Sequence, residues 1–307
     1  MTAQPNIRAL PEHLQKKAIE ELNERPERVA EDLLTLKVWA ANEPHLNIRL
    51  DDQLLVGFLR GCKYSLEKTK AKLDCFYTLK TKYSDFYTIP DVDDPSVLER
   101  LKYGVSVLLP NPLHETGARI MFIRAGNYPP DKYSFKDIIA LSQAIQEIWS
   151  REDDYAAVNG YVVVMDLCRP TFVHFAQITP SVVKKVMLFA EQAMPLRHRA
   201  THFINVPAGF DKIFNMMKAL MSEKQQERFY FHGNDLESLY AHVPQKYLPI
   251  ELGGENGTLE EVNSRAIEFF MERRNYFIED FKYRNKEELR VGQRPDFESL
   301  FGMEGSF

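Results

Sequence analysis

The sequence predicts an α/β fold in which an all-helical N-terminal module precedes a domain with a mostly parallel sheet. Two observations support this prediction. The first ninety or so residues contain charged segments with recurring apolar faces and no strand-like run. After a Pro- and Asp-rich stretch near residue 90, short apolar runs alternate with longer amphipathic segments. Such alternation is typical of parallel sheets with helical crossovers.

The N-terminal module is predicted from three helical segments. Residues 16–42 are charged and carry a recurring apolar face. Asp51 suits the N-cap of a helix over residues 53–64, because a carboxylate can accept from the first free backbone N–H groups. Ser65 begins another helix with Glu67 in its first turn, where the helix dipole favours negative charge.

The sheet is predicted from four apolar runs, each 6–7 residues long. We expect strands at residues 119–125, 161–167, 201–206 and 228–233. Ser134 with Asp137 forms a capping-box start for a helix between the first two strands. Pro180 suits the first position of a helix between the next two. We therefore divide the chain into a helical module (1–90), a sheet domain (91–257), and a C-terminal helix with an irregular tail (258–307).

Composition limits the class of partner and the compartment. The 307 residues carry a net charge of −5, whereas nucleic-acid-binding domains usually have a basic excess, so we expect no nucleic-acid partner. No apolar run is long enough for a signal peptide or a membrane-spanning helix. The three cysteines lack zinc or redox spacing, and we expect them to be reduced. The sequence predicts a cytoplasmic protein.

The usual motifs of α/β enzymes are missing from the sequence. It contains neither a dinucleotide-binding GxGxxG nor a phosphate-binding GxxxxGK[ST]. Residues 104–108 match half of a nucleophile elbow but lack its final glycine. The histidines have no metal-ligand spacing, and Asp166 at a strand end suits a turn better than catalysis. We predict no catalytic residue, no metal and no cofactor.

The segment 207–228 has the strongest helical pattern, with Phe and Met on one continuous face. That face consists of Phe210, Ile213, Phe214, Met217 and Met221. The pattern alone leaves two interpretations open: an ordinary core helix, or a binding surface that uses the adaptability of Met.

Several segments in fixed order resemble the CRAL-TRIO lipid-transfer proteins. They are DDQLLVGFLRGCKYSLEKTK, VVVMDLCRPTFVHFAQITPSVVKK, FINVPAGFDKIFNMMKALMSEKQQERFYFHG and LPIELGG, between about residues 50 and 255. FAQITPSV followed by MPLRHR is similar to the branch containing the α-tocopherol transfer protein, the retinaldehyde-binding protein and the clavesins.

This resemblance implies a sheet floor, helices on one side, and an apolar cavity closed by a mobile helix that matches 207–228. It implies a monomeric carrier of a small hydrophobic ligand, such as a tocopherol, retinoid, carotenoid or similar isoprenoid. We expect the pocket to be lined by Val162, Val164, Phe172, Phe175, Ile178, Val182, Val183, Met187, Phe203, Phe210, Ile213, Phe214, Met217 and Met221. In the tocopherol branch, basic positions matching Arg197, Arg199, Lys224 and Arg228 contact phosphoinositide headgroups, which implies a phosphoinositide-bearing membrane as a partner.

The chain departs from the family pattern at two places. Ala219 replaces a common proline, which leaves the position of a hinge in the lid open. Residues 168–170 (Cys-Arg-Pro) replace an acidic residue, a glycine and an aromatic residue, so we expect a pocket of different polarity near the sheet edge.

Three alternatives remain open from the sequence. A phospholipid or phosphoinositide exchanger or sensor would have a larger cavity with a polar end. An enzyme on an α/β sheet would turn over an added substrate. A protein-binding adaptor would form a stable stoichiometric complex through its helical N-terminus.

Overall fold

Five strands form one sheet, in the order in which they occur along the chain. The computed structural model describes residues 4–292, apart from the side chain of Lys224. The strands are β1 Ser106–Leu108, β2 Arg119–Arg124, β3 Tyr161–Asp166, β4 His198–Ile204 and β5 Phe229–Gly233. β1 is antiparallel to β2, whereas β2 to β5 are parallel. The predicted α/β fold class is confirmed.

Helices surround this sheet and form the N-terminal region. They are α1 Glu12–Leu22, α2 Val29–Asn42, α3 Asp52–Gly61, α4 Leu66–Lys82, α5 Ser84–Tyr87, α6 Pro95–Lys102, α7 Phe135–Glu152, α8 Asp154–Asn159, α9 Phe172–Ala176, α10 Pro180–Leu188, α11 Phe210–Lys218, α12 Glu223–Gln226, α13 Leu236–Tyr240, α14 Leu259–Glu272 and α15 Arg274–Asp280. A π-helical turn, Phe189–Ala193, continues α10, and short 3-10 turns occupy Pro26–Arg28, Gln245–Tyr247, Ile250–Leu252 and Glu287–Leu289.

The two faces of the sheet have different coverings. Sequential strand order with right-handed crossovers places the connecting helices on one face. On the other face, Val162 and Val164 of β3 pack with Leu239 of α13 and Val262 of α14. Because successive strand residues point to opposite faces, Val163 instead joins the large core that contains α7 and the N-terminal helices.

The N-terminal helices share that large core with the sheet domain. Buried polar ties reinforce it: Lys80 Nζ of α4 lies 2.8 Å from Glu147 Oε2 of α7. Tyr276 of α15 donates a hydrogen bond of 3.0 Å to the same carboxylate. The predicted domain boundaries near residues 90 and 257 stay predictions, and the irregular tail predicted up to residue 307 lies outside the described residues from 293 onward.

The helix starts predicted from capping residues are found in the structure. Asp51 Oδ1 accepts from Leu54 N at 3.0 Å at the start of α3. Ser134 and Asp137 form the capping box of α7. Thr179 caps α10, with Pro180 in its first turn. Local side-chain chemistry is sufficient to place these boundaries.

Two predicted helices are interrupted, and one strand was missed. The segment 16–42 is two helices, because Asn23 adopts a left-handed φ of 62° and Pro26 follows in a 3-10 turn. The segment 207–228 is also two helices: α11 ends at Lys218, and extended Ser222 starts α12 with its own capping box. Three-residue β1 is too short to give a period-2 pattern.

Candidate ligand-binding site

A cavity of about 250 Å³ lies between the sheet and the helices that cross one of its faces. Its floor comes from Met121, Ile123, Tyr161, Val163, Met165, Thr201, Phe203 and Phe229 of β2 to β5. Its walls come from α7, α9, α10 and the π-helical turn, and its roof comes from α11. The lining is overwhelmingly apolar, which suits a hydrophobic ligand.

The roof helix α11 is strongly amphipathic. Phe210, Ile213 and Met217 line the cavity, whereas its charged and amide side chains are exposed. Phe210 lies against Phe203 of β4, with ring centroids 5.3 Å apart. Phe214 meets Phe231 of β5 edge-on, with centroids 4.5 Å apart. Aromatic contacts therefore hold α11 against the edge of the sheet.

Polar contacts do not hold α11 in the same way. Within residues 4–292, no side chain of Phe210–Lys218 makes a hydrogen bond or an ion pair with the rest of the protein. Gly209 precedes the helix with a left-handed φ of 87°, and a Cβ there would meet nothing within 4 Å. The helical conformation is interrupted again at residues 219–222, between α11 and α12. Short irregular segments thus flank a helix that is retained mainly by apolar packing, with one 3.4 Å hydrogen bond from Gln226 Nε2 to the carbonyl oxygen of Lys218 at its C-terminal end.

Eight of the fourteen predicted pocket residues line this cavity. They are Phe175, Ile178, Val183, Met187, Phe203, Phe210, Ile213 and Met217. Val162 and Val164 do not, because they point to the opposite face of the sheet. Phe172 does not either, because its side chain is 84% exposed on the outside of α9.

Three further predicted residues are buried or half-buried away from the cavity. Val182 packs against the large core at α10. Phe214 is engaged by the aromatic residues of β5. Met221 lies after the break in the helix and packs with Val183, Met187 and Leu220. A continuous helix would have placed Met221 on the cavity face, so the break explains that error.

Sequence reasoning missed the polar wall that α7 contributes. Ser142, Gln143 and Gln146 line the cavity, as does Tyr128. A signal was present, because Gln143 and Gln146 follow Ile139 at positions i+4 and i+7 and therefore share its face. Polar residues on the buried face of a helix indicate a specific partner.

Most of this polar wall is satisfied within the protein. Ser106 Oγ and Ser142 Oγ lie 2.9 Å apart. The hydroxyl of Tyr161 donates to Gln146 Oε1 at 3.2 Å. His198 Nε2 lies 2.8 Å from Thr201 Oγ1, and burial, followed by Arg228, lowers the pKa of His198 to about 4. His198 is therefore neutral at physiological pH.

Three of the four predicted basic residues lie together at the start of β4 and β5. Arg228 Nη1 donates to the carbonyl oxygen of His198 at 3.1 Å. That carbonyl belongs to the residue between Arg197 and Arg199, so the three arginines are neighbours. The predicted helical pairing of Lys224 with Arg228 is wrong, because α12 ends at Gln226. The side chain of Lys224 lies outside the described part of the structure.

The arginines differ in how they are paired. Arg199 Nε donates to Asn159 O at 2.8 Å, and its Nη2 lies 3.9 Å from Glu21 Oε2. Arg197 has a buried Nε and Nη2 with no partner among the described residues. Burial, followed by the charge of Arg199, lowers the pKa of Arg197 to about 10. Arg197 thus has unused donors beside a second positive charge.

Residues 4–292 contain neither a membrane-spanning helix nor a cluster of metal-ligating side chains. None of the helices there is long and apolar enough to span a membrane. The same part of the chain has no group of three or more His, Cys, Asp or Glu side chains that could hold a metal ion.

The family model described as "CRAL/TRIO domain" matches residues 108–254, which include α11, β2 to β5 and most of the cavity lining. Residues 108–254 are a CRAL/TRIO domain. A second model, described as "Pinta-like, UBA domain", matches residues 25–97 in the N-terminal helices. The resemblance inferred from the sequence is confirmed.

Curated relatives are similar over most of the chain. "Alpha-tocopherol transfer protein-like" of Mus musculus is 29% identical over 261 residues, which cover 84% of this chain and 75% of the relative. "Clavesin-2" of Rattus norvegicus is 28% identical over 246 residues, covering 80% and 74%. The solved structure titled "Crystal structure of Sfh5" has a TM-score of 0.49 and 14% identity, covering 88% of this chain and 99% of that one. The matched domain family is one of lipid-transfer proteins, which supports a lipid-binding role for this domain.

Proposed function

We propose that the chain carries one small hydrophobic molecule beneath α11 and transfers it at phosphoinositide-containing membranes. The cargo would be tocopherol-, retinoid-, carotenoid- or otherwise isoprenoid-like. One observation carries the proposal: an apolar cavity is roofed by a helix whose side chains make only apolar contacts with the rest of the described protein. The protein acts without covalent chemistry, as a cytosolic monomer whose contact with membranes is peripheral and transient.

The energetics require a release mechanism. Burying an apolar tail gains about 0.8 kcal/mol per carbon, so a dozen carbons gain roughly 10 kcal/mol before opposing terms. Spontaneous escape into water would be slow. A membrane can accelerate release by accepting both the ligand and the apolar face of α11, because acyl chains solvate that face as well as the cavity does.

The surface beside the roof supports such membrane contact. Phe172 and Val173 on α9 are 84% and 48% exposed. Their helix adjoins α11, since the rings of Phe175 and Phe210 lie 6.3 Å apart. A pair of exposed apolar side chains next to a releasable amphipathic helix suits insertion at the boundary between headgroups and acyl chains.

The arginine cluster supports recognition of phosphorylated headgroups. Arg197, Arg199 and Arg228 present positive charge together, and guanidinium groups bind phosphate oxygens through charge-assisted hydrogen bonds. Surface attraction of this kind is screened beyond about 8 Å at physiological ionic strength, so binding should weaken in salt.

The carrier function is tested by identifying the cargo. Mass spectrometry of an organic extract of the purified protein should find an apolar molecule at about one per chain. Where the extract is empty, titration with tocopherol, retinol, a carotenoid or a phospholipid should reveal one saturable site. Absence of any saturable binding would refute the carrier function, turnover of an added ligand would indicate an enzyme, and a stable stoichiometric protein complex would indicate an adaptor.

Headgroup recognition is tested by charge reversal. Changing Arg197, Arg199, Lys224 and Arg228 to Glu should abolish the preference for phosphoinositide liposomes and slow transfer, while equilibrium ligand binding survives. The matched control reverses the same number of exposed charges elsewhere, at Lys16, Lys68, Lys282 and Lys286. Equal loss of liposome preference in both proteins would show that the arginine cluster contributes only through net charge and does not recognise the headgroup specifically.

A further inference from the structure

Gln143 is one of two polar side chains of the cavity lining, with Tyr128, that have a buried atom without a partner among the described residues. Its neighbours Ser142 and Gln146 have partners inside the protein. Gln143 is 4% exposed and lines the cavity, yet its Oε1 has no hydrogen-bond partner among the described residues. Buried polar side-chain atoms in folded proteins almost always have a partner, so an unpaired amide on a residue that lines a ligand cavity indicates that the ligand supplies one.

Charge in the cavity restricts what that ligand can be. Among the described lining residues there is no Lys or Arg, and Glu191 is the one carboxylate. His174 is engaged by the backbone of Thr171 and Tyr128. An ionised carboxylate or phosphate would have no counter-ion there, and burying an unpaired charge is strongly unfavourable. The cavity therefore selects an uncharged ligand.

The chemistry of an amide restricts the ligand further. Rotating the Gln143 side chain about its last bond exchanges the carbonyl oxygen with the amino group, so either can face the ligand. A hydroxyl group both donates and accepts, and it can satisfy Gln143 in either orientation. An ether or an ester of the same skeleton can only accept, and it leaves Oε1 unpaired.

We propose that Gln143 selects the ligand and that the cavity takes an uncharged lipid alcohol, whose hydroxyl donates to Gln143 Oε1. The proposal rests on the carrier function above and names the class of molecule carried. It also separates the cargo from fatty acids and from phospholipids, whose charged groups the lining does not neutralise.

The test compares three probes with one skeleton: geranylgeraniol, its methyl ether and geranylgeranoic acid. The unmodified protein should bind the alcohol about tenfold or more tighter than the ether, and tenfold corresponds to about 1.4 kcal/mol. In Gln143→Leu, and in Gln143→Met with its unbranched side chain, the ratio of alcohol affinity to ether affinity should fall to near one. Ile139→Leu, which changes the same wall of α7 without removing a polar group, should keep the full ratio.

Stability distinguishes a selecting residue from a structural one. Because Oε1 makes no bond within the described protein, Gln143→Met should leave the ligand-free thermal midpoint unchanged or raised. The hydroxyl of Tyr128 is also buried without a partner among the described residues, so Tyr128 is the alternative candidate for the selecting residue. The variant Tyr128→Phe tests this alternative.

Three outcomes would overturn the proposal. They are an unchanged alcohol-to-ether ratio in both Gln143 variants, tighter binding of the acid than of the alcohol, and loss of the ratio in Tyr128→Phe alone. Failure of all three probes to bind the unmodified protein would also overturn it, whereas the carrier function fails only if tocopherol, retinol, a carotenoid and a phospholipid show no saturable site either.

Discussion

Helices α7 and α11 cover the same face of the sheet, but different interactions hold them. Most residues of α7 are buried, and its Glu147 is tied to Lys80 and Tyr276. In α11, only Phe210 is buried, and the described side chains make no polar tie. Breaking a buried charged contact is costly, whereas apolar contacts re-form readily in a membrane. The comparison distinguishes a permanent wall from a releasable roof.

The largest effect is expected from removing the charge that anchors α7. Lys80 Nζ contacts Glu147 and Asp280, so Lys80→Met leaves two buried carboxylates facing each other. The free energy of unfolding should fall by about 3–5 kcal/mol, measured by urea denaturation. Lys136→Met, which breaks an exposed pair with Asp85, should cost about 0–1 kcal/mol. Equal losses would show that the buried network does not anchor the wall.

A matched pair of truncations compares the two helices directly. Ile148 of α7 is fully buried, and Ile148→Ala should cost about 2–5 kcal/mol in the ligand-free protein. Ile213 of α11 faces the cavity and is only partly buried. Ile213→Ala should cost much less, while ligand release accelerates, as measured by stopped-flow transfer to liposomes. A loss as large as that of Ile148→Ala would make α11 an ordinary core helix.

Acid should destabilise β4 and β5 on the sheet face opposite the cavity, where His202 packs with Tyr230 and His232, rather than the α7 side. Burial, followed by His232, His242 and His198, lowers the pKa of His202 to about 4, from about 6.5 when unfolded. Its contribution is therefore complete above pH 6.5 and is lost as the pH falls towards 4.

At α7, acid is expected to have the opposite effect on stability. Burial, followed by Asp280, raises the pKa of Glu147, so protonating this carboxyl favours the folded state.

His202→Gln should flatten the fall in unfolding free energy between pH 6.5 and 4, and the exposed His13→Gln serves as the control. An unchanged pH profile in the His202 variant would contradict this assignment.

The smallest effect on stability is expected outside the cavity. Phe172→Ser should change the free energy of unfolding by less than about 0.5 kcal/mol, because the side chain is almost fully exposed. Binding to liposomes should nevertheless weaken, as measured by co-sedimentation. Ile250→Ser, at another exposed apolar residue, should leave liposome binding intact. If both variants bind equally, Phe172 has no special role at the membrane.

The sequence was sufficient to predict the fold, but not to predict which face of the sheet each strand residue points to. Caps at Asp51 and Ser134, and alternating runs of strand and helix, placed the elements. The run 161–166 is apolar throughout because both sheet faces are covered, so periodicity could not tell Val163, which faces the cavity, from Val162 and Val164.

Short-range structure limited the prediction of the remaining site residues. Five-residue α9 is too short for an apolar face to be recognised, and Phe172 was therefore placed inside. The break after Lys218 depends on the capping box of Ser222 with Gln225, which turned Met221 away from the cavity. Gln143 was overlooked because a glutamine in an amphipathic helix is usually solvated, and only tertiary packing buried it.

Hydrogen exchange tests most directly whether α11 is a releasable roof. Backbone amides between residues 208 and 221 should exchange fast in the ligand-free protein and become protected when the cavity is filled, because moving elements have low local stability. Amides of α7 should stay protected in both states and serve as the internal reference. Slow exchange of residues 208–221 in both states, matching that of α7, would contradict a roof that opens.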